Sequence, residues 1–288
     1  MIPPEFDYHA PTSLDEALEL LGSLDDPKVL SGGQSLLPML KLRLASPANI
    51  IDIGRIPGLD GISGEDGDLR IGALVTEADL ERAPEVAARY PILLDTARVI
   101  ADPLVRNRAT VCGNIAHGDP ANDQPATMLA LGAEVVATGR DGERTIPIDD
   151  FFHGFFMTAL APGEILTELR IPAPPSRSGG AYVKLERKVG DYAVAGAAVQ
   201  LALAHDGTVA GAGIGLTNLG IAPIRASEAE EALMGRVPDA GAIADTAAAA
   251  ADAADPIPDR RGSAEYKRNM ARVLTGRAIG RALERAGG

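Results

Sequence analysis

Cysteine occurs once in this chain of 288 residues. A lone Cys112 excludes an intrachain disulfide framework, and one thiolate cannot by itself hold a conventional iron–sulfur cluster. The histidines, at positions 9, 117, 153 and 205, are too scattered to suggest a metal site by spacing. Any redox metal is therefore expected in another chain. Positive charge is also scarce: 27 basic against 40 acidic residues leave a formal charge of −13. A nucleic-acid groove needs a cationic footprint to displace counterions from phosphates, so that class is excluded.

Tryptophan is absent and aromatics make up only 3%, while hydrophobic residues reach 46%. Ala, Leu, Ile and Val must then supply the core, as in an ordinary Ala-rich α/β protein. No apolar run approaches the roughly 20 residues that span a bilayer. The start, MIPPEFDYHAP, has neither a positive n-region nor an apolar h-region. A cytoplasmic location is expected, with length enough for two or three compact units of about 100–200 residues.

Ser13-Leu-Asp-Glu16 has the form of a capping box, and Leu14, Ala17, Leu18 and Leu21 form the apolar face of a helix expected to stop at Gly22. A strand, Lys28 to Leu30, leads into Gly32 and Gly33, and Asn49 to Ile53 reads as another after an intervening helix. Leu69 to Ala73 reads as a strand behind SGEDGD, taken as a hairpin connection, and Thr76 to Leu80, Glu85 to Tyr90 and Pro91 to Ala101 read as helices. Asp102 to Pro125 lacks regular periodicity, and a loop that long is usually functional. Thr127 to Leu131 reads as a helix, and Glu134 to Thr138 with Arg144 to Pro147 as a hairpin. The Pro/Ser/Gly stretch Pro172 to Gly180 is the natural domain boundary. Beyond it Tyr182 to Lys188, Ala193 to His205 and Thr208 to Leu216 suit three successive strands. Ser227 to Glu230 has the form of a capping box, and two further helices are expected over 240–254 and 263–283.

Two glycine-bearing segments carry the chemistry. In Ser31-Gly32-Gly33-Gln34-Ser35 a strand ends, consecutive amides are exposed, and a helix begins with Pro38 in its first turn. The spacing is neither a P-loop nor a dinucleotide fingerprint. Alone, a glycine pair between strand and helix is more often a plain turn than a phosphate cradle. The second segment, Thr110 to Asp123, combines Gly113 with short polar side chains at Thr110, Asn114, Asp119 and Asp123, which suit ribose hydroxyls, phosphate oxygens and ring heteroatoms. A diphosphate-bearing cofactor gripped from two sides accounts for both.

VLSGGQSLLPMLKLRLASPANIIDI and ATVCGNIAHGDPANDQPATMLALGAEV together resemble the flavoprotein, or medium, subunit of the molybdenum hydroxylases, in particular those of carbon monoxide dehydrogenase type. KLERKVGDYAVAGAAV and RGSAEYKR extend the resemblance from Pro4 to about Arg281. It implies an α+β protein: a p-cresol-methylhydroxylase-type FAD-binding domain of two subdomains, 1–57 and 58–176. A C-terminal α+β domain, 181–288, would have a three-stranded antiparallel sheet and helices. It further implies FAD in this chain, with Ser31, Gly32, Gly33, Gln34, Ser35 and Leu36 around the pyrophosphate. Thr110, Cys112, Gly113 and Asn114 would form the second loop and Asp123 a polar contact. Ile100 and Ile165 or Leu166 would touch the flavin or its chain, and Lys184 and Tyr192 would reach it from the C-terminal domain.

The same resemblance places a molybdenum-pterin cofactor in a large partner subunit and 2Fe-2S clusters in a small one, arranged as a dimer of heterotrimers. This chain would pass electrons to an acceptor such as a quinone, dioxygen or a nicotinamide. The assembly could lie peripherally at the inner face of the cell membrane. No general base or nucleophile is then needed here. A self-contained FAD-dependent oxidoreductase and a non-catalytic nucleotide sensor are the rival readings.

Several residues admit a second reading. Tyr192, expected at a strand start, is a core tyrosine by position alone and a cover for the isoalloxazine by resemblance. Cys112 stands where the family has glycine; a lone buried cysteine is more often an inert small hydrophobe than a catalytic thiol. Gln34 stands where some carbon monoxide dehydrogenases have histidine. His117 is a cofactor neighbour or a loop histidine satisfied by backbone. Gly211 to Gly220, GAGIGLTNLG, reads as strand and turn. The basic residues Arg260, Arg261, Lys267, Arg268, Arg272, Arg277, Arg281 and Arg285 are a docking surface or a solvated helix face.

Overall fold

The computed structural model of the chain describes residues 2–64 and 67–287. At the N-terminus β1 (Asp7–His9), β2 (Pro27–Leu30) and β3 (Asn49–Asp52) form a parallel sheet of order β1-β3-β2, with α1 (Leu14–Ser23) and α2 (Leu36–Leu42) as the connecting helices. Ser13 caps α1 by accepting from the Glu16 amide, but the Glu16 carboxylate reaches back to the Thr12 amide, one residue beyond the expected box. β1 pairs over only three residues and carries no pattern that a sequence reading can catch.

Next comes an antiparallel sheet of order β4-β5-β10-β6-β7, from β4 (Ile62–Ser63), β5 (Leu69–Gly72), β6 (Glu134–Gly139), β7 (Gly142–Pro147) and β10 (Ile165–Ile171). A small hairpin, β8 (Phe152–Gly154) with β9 (Met157–Thr158), stands apart from it. The expected connection at SGEDGD includes Glu65 and Asp66, which lie outside the described residues; the strands on either side of it pair antiparallel. The helices between β5 and β6 are α3 (Glu77–Arg82), α4 (Pro84–Arg89), α5 (Pro91–Val99), α6 (Pro103–Arg106), α7 (Val111–His117) and α8 (Gln124–Leu131).

α6 and α7 correct the expectation of a loop over 102–125. Asp102 accepts from the amides of Leu104 and Val105 with Pro103 at the first helical position, and Thr110 accepts from the Gly113 amide. Side-chain caps and proline thus start helices too short to show a period.

The C-terminal sheet is antiparallel, of order β11-β12-β13-β14, from β11 (Ser178–Leu185), β12 (Ala195–Leu203), β13 (Val209–Thr217) and β14 (Ile224–Arg225). It has the expected long strands and one additional short one. β11 starts inside the stretch expected as linker. Strand alternation divides its residues between two layers. Tyr182 and Ala198 join the core shared with α5 and α8, whereas Ala197, Val199 and Leu201 face α9 (Ser227–Leu233), α10 (Ala240–Asp252) and α11 (Ala264–Gly287). Ser227 does not cap α9: Ala226 is its N-cap, and Glu230 instead accepts from the Ile214 amide and pairs with Arg225.

The helix-to-sheet approach on the α8 side is set by Gly213 and Gly215 of GAGIGLTNLG, which lies largely in β13. A Cβ on either would overlap the carbonyl of Ala130 or Ala126 in α8. Gly215→Val is therefore expected to destabilise the chain by about 1–3 kcal/mol through overpacking. Gly211→Ala, whose new Cβ would meet nothing closer than Ala202 at 3.9 Å, should leave the melting temperature nearly unchanged. Thermal unfolding of both variants checks the contrast.

Candidate cofactor site

The two glycine segments meet at the top of β2. Gly32 lies so close to the backbone of residues 108–110 that a Cβ would overlap the Arg108 carbonyl. The Ser31 hydroxyl is 2.9 Å from that of Thr110 and also donates to the Ala73 carbonyl. Gly33 has φ +75°, a conformation that glycine adopts without penalty. Among the described residues, no hydrogen bond accepts from the amides of Gly32, Gly33, Gln34 or Ser35, while Leu37 and Met39 already donate to the Gly33 and Ser35 carbonyls. Ser31 to Leu36 are all half-buried. A row of free amides at a turn between strand and helix is the arrangement that binds phosphate oxygens.

The second segment is anchored through Thr110, which bridges to Thr76, while the Val111 amide donates to the Val75 carbonyl. Gly113 makes room for the cap: a Cβ there would press on the Thr110 hydroxyl oxygen. Asn114 Oδ1 is buried with no partner in the protein, and its carbonyl accepts from Asn122. The Cys112 thiol turns the other way, towards the Ile71 and Gly72 carbonyls, and burial pushes its pKa up, so it is an inert packing group and only its backbone belongs to the turn. His117 is half-buried against the Phe156 ring, centroids 5.0 Å apart; burial lowers its pKa, with Asp119 opposing the shift and Lys28 adding to it.

Asp123 and Lys184 were expected as separate cofactor contacts, and the structure joins them to each other. Lys184 Nζ lies 2.9 Å from Asp123 Oδ2 and donates to the Val99 carbonyl at 3.0 Å, with side chains 2% and 7% exposed. The other Asp123 oxygen accepts from the Tyr182 hydroxyl at 2.6 Å, and that hydroxyl is 3.1 Å from Thr217. Burial raises the Asp123 pKa, and Lys184 and Tyr182 oppose the shift. Tyr182 was not anticipated; its place on the inner face of β11 follows from strand alternation, but its partner does not.

Ile100, 8% exposed, ends α5, and Ala101 after it has φ +45°. Gly190 packs directly on the Ala101 carbonyl, which brings the loop between β11 and β12 over this corner. Tyr192 stands in that loop, not at a strand start. It is 45% exposed, with the Arg261 guanidinium 5.9 Å from its ring centroid. Burial raises its pKa, with Asp119 and Asp123 adding to the shift and Arg261 opposing it. Ile165 and Leu166 lie in β10 opposite Thr138 and Ala137, 3% and 5% exposed, as core residues of that sheet. Of the basic C-terminal residues, Lys267 is buried against Asp259, Arg261 pairs with Asp191 and Arg285 with Asp95. Arg272, Arg277 and Arg281 are exposed.

These residues fit a dinucleotide. The free amides beside Gly32, the unpartnered Asn114 oxygen and the small side chains between them suit diphosphate and hydroxyl groups. Removing one partner of the buried Lys184–Asp123 pair tests how the elements around it are held. Lys184→Met is expected to cost about 3–5 kcal/mol by leaving Asp123 uncompensated, and adding Asp123→Asn should recover much of that loss. Thermal melts of the single and double variants check it.

Known proteins resemble this chain over both of its parts. Residues 4–174 match the family model described as the FAD binding domain in molybdopterin dehydrogenase, and residues 180–282 that of the CO dehydrogenase flavoprotein C-terminal domain. The carbon monoxide dehydrogenase medium chain of Hydrogenophaga pseudoflava is 46% identical over 286 residues, covering 99% of each chain. A solved carbon monoxide dehydrogenase from that organism superposes with a TM-score of 0.96 at 49% identity, over 99% of each chain. Quinoline 2-oxidoreductase from Pseudomonas putida 86 does so with a TM-score of 0.93 at 34% identity, again over 99% of each chain. Such full-length likeness favours an electron-transfer subunit over a self-contained FAD oxidoreductase. The chain belongs to the FAD-binding medium, or flavoprotein, subunits of the molybdenum hydroxylases.

Proposed function

We propose that this chain is the FAD-carrying electron-transfer subunit of a molybdenum hydroxylase of carbon monoxide dehydrogenase type. It works beside a large molybdenum-cofactor subunit and a small iron–sulfur subunit, and serves an external electron acceptor. The observation that carries this reading is the junction of the turn at 31–35 with the capped start of α7, which brings free amides and an unpartnered Asn114 oxygen into neighbouring turns. Bound FAD supplies a centre that accepts electrons singly and releases them as a pair.

Each contribution of the chain is then positional. The amides around Ser31, Gly32, Gly33, Gln34, Ser35 and Leu36 hold the diphosphate, and Thr110, Gly113 and Asn114 close on it from the other side. Asp123, neutralised by Lys184, fixes the charge at the edge of the cleft. Ile100 and Tyr192 supply apolar surface for the ring, and the exposed half of Tyr192 limits solvent access. His117 packs on Phe156 at the end of α7, and Ile165 or Leu166 backs the cofactor from the sheet core. The segments 1–57 and 58–176 enclose the cofactor, and 181–288 packs against them.

The relatives named for carbon monoxide and for quinoline share this architecture, so the substrate is selected in another chain; the carbon monoxide reading rests on the higher identity. The finer picture proposed is a dimer of heterotrimers in the cytoplasm, peripheral at the inner membrane face, with a quinone as acceptor. Among the described residues no helix is long and apolar enough to cross a membrane.

Absorbance spectra of the purified assembly and of this chain alone, with FAD released and quantified, test the reading. FAD near one per chain, with iron–sulfur absorbance only in the assembly, is expected; no flavin in either sample would overturn it. Tyr192→Ala should fold normally and shift the flavin reduction potential or reoxidation rate. Unaltered spectra, potential and kinetics would remove Tyr192 from the site.

A further inference from the structure

Glu77 is the first residue of α3 and is fully buried. The segment that carries Thr110, Gly113 and Asn114 leaves and returns beside it. At the start of that segment, the Glu77 amide donates to the Ala109 carbonyl at 2.8 Å. At its end, Glu77 Oε2 lies 2.7 Å from the side-chain nitrogen of Gln124, the first residue of α8. One residue thus grips both ends of the second cofactor turn.

The side-chain half of this grip is chemically incomplete. Glu77 Oε1 and Gln124 Oε1 are both buried without a partner in the protein. An ionised Glu77 would be a buried carboxylate with one neutral donor and one bare oxygen, an arrangement that costs several kcal/mol. A proton on the acid removes the charge. With the Gln124 amide turned over, the carboxyl O–H donates to the amide oxygen at an ordinary O–H···O length, and the groups left without a partner are then all neutral.

The groups around Glu77 oppose one another. The Gln124 side-chain nitrogen, donating to Oε2, favours the ionised acid, and so does Arg106 from α6; Asp123, the N-cap of α8, disfavours a second negative charge, though it is itself paired with Lys184. The Cys112 thiol of α7 feels the Glu77 charge but is held neutral by burial. Arg98 of α5 is turned to Glu81, and Arg89 of α4 to the Gly67 carbonyl. Burial dominates, raising the Glu77 pKa to about 8.

We propose that Glu77 is a positioning residue for the cofactor site, holding Ala109 through its backbone amide and Gln124 through a neutral carboxylic acid, and that loss of its proton in alkali, by placing an uncompensated charge between the two, loosens the second turn and releases FAD. This rests on the FAD reading above. The sign follows from linkage. The folded chain keeps a proton that the unfolded chain loses above its ordinary pKa of 4.5, so stability falls as pH rises from there to about 8. FAD affinity then weakens above about 8, by up to tenfold per pH unit while the protonated form is the one that binds.

The test measures FAD retention by the purified complex from pH 6 to 10, as fluorescence of released flavin, in wild type and Glu77→Gln. The expected result is equal retention at neutral pH, with alkaline release in wild type and a flat profile in the variant. The same alkaline release in Glu77→Gln would overturn the proposal. Infrared difference spectra of the full chain without cofactor give a second reading. A protonated-carboxyl C=O band that disappears on alkaline titration, and is missing from Glu77→Gln, is expected; its absence from wild type would overturn the proposal. Failure of wild type to bind FAD at any pH would count against the FAD reading instead, and the infrared band would still decide the protonation of Glu77.

Discussion

A lysine and an aspartate taken out of water together, Lys184 and Asp123, are the constraint on which the arrangement of the molecule depends. Neither can be buried alone. Lys184 finds a carboxylate on α8 and a carbonyl at the end of α5, and Asp123 fills its second oxygen with Tyr182 from the same strand as the lysine. The end of α5, the start of α8 and the C-terminal strand β11 are therefore brought to one point. Such a pair gains little net stability over well-packed apolar groups, but breaking it is costly, and so it admits one arrangement of three elements. With the start of α8 fixed there, the exit of the second turn is fixed as well. Its entry is held at Thr110, by bonds that also define the first turn.

The low aromatic content is consistent with the close approach of helices to the C-terminal sheet. Gly213 and Gly215 admit the backbone of α8, and Gly179 admits that of α11 on the opposite face, as the alternation of β11 requires. Alanine then fills what remains: Ala195, Ala197 and Ala198 of β12 and Ala271, Ala278 and Ala282 of α11 are all fully buried. Large rings would hold those layers apart, and the aromatics that the chain does have are placed elsewhere. Tyr90 and Phe151 fill the first core, while Phe155, Phe156 and Tyr192 stand at the surface.

What the sequence showed was what local signals can carry: the cap at Ser13, the hairpin across RDGE, the glycine pair after β2. What it hid depends on partners far along the chain. α7 has buried residues at Val111, Cys112 and Ile115, a helical spacing, but seven residues containing one glycine and followed by another give too short a period to read. Its start is fixed by Thr110 and Val75 across the fold. Glu77 is harder still. An acidic residue just after Thr76 reads as ordinary helix-start chemistry on a surface, and only the fold buries it against Gln124. Lys184 and Asp123 could each be named as polar residues near a cofactor, yet nothing in either neighbourhood tells that they face each other.

Cys112 and Gly113 show which position of the second turn requires glycine as a physical necessity. Cys112 lies within α7 and is not among the residues of positive φ, so its backbone makes no demand that only glycine can meet. Its side chain goes behind the helix, onto the carbonyls of β5, where it does not disturb the Thr110 cap. Gly113 is different. There a Cβ would be driven into the hydroxyl oxygen that accepts the residue's own amide, so the cap and any side chain at 113 exclude each other. Of these two adjacent positions, 113 is therefore held to glycine by a hydrogen bond in this chain. The other is open to any small side chain that can be buried against Ile71 and Gly72.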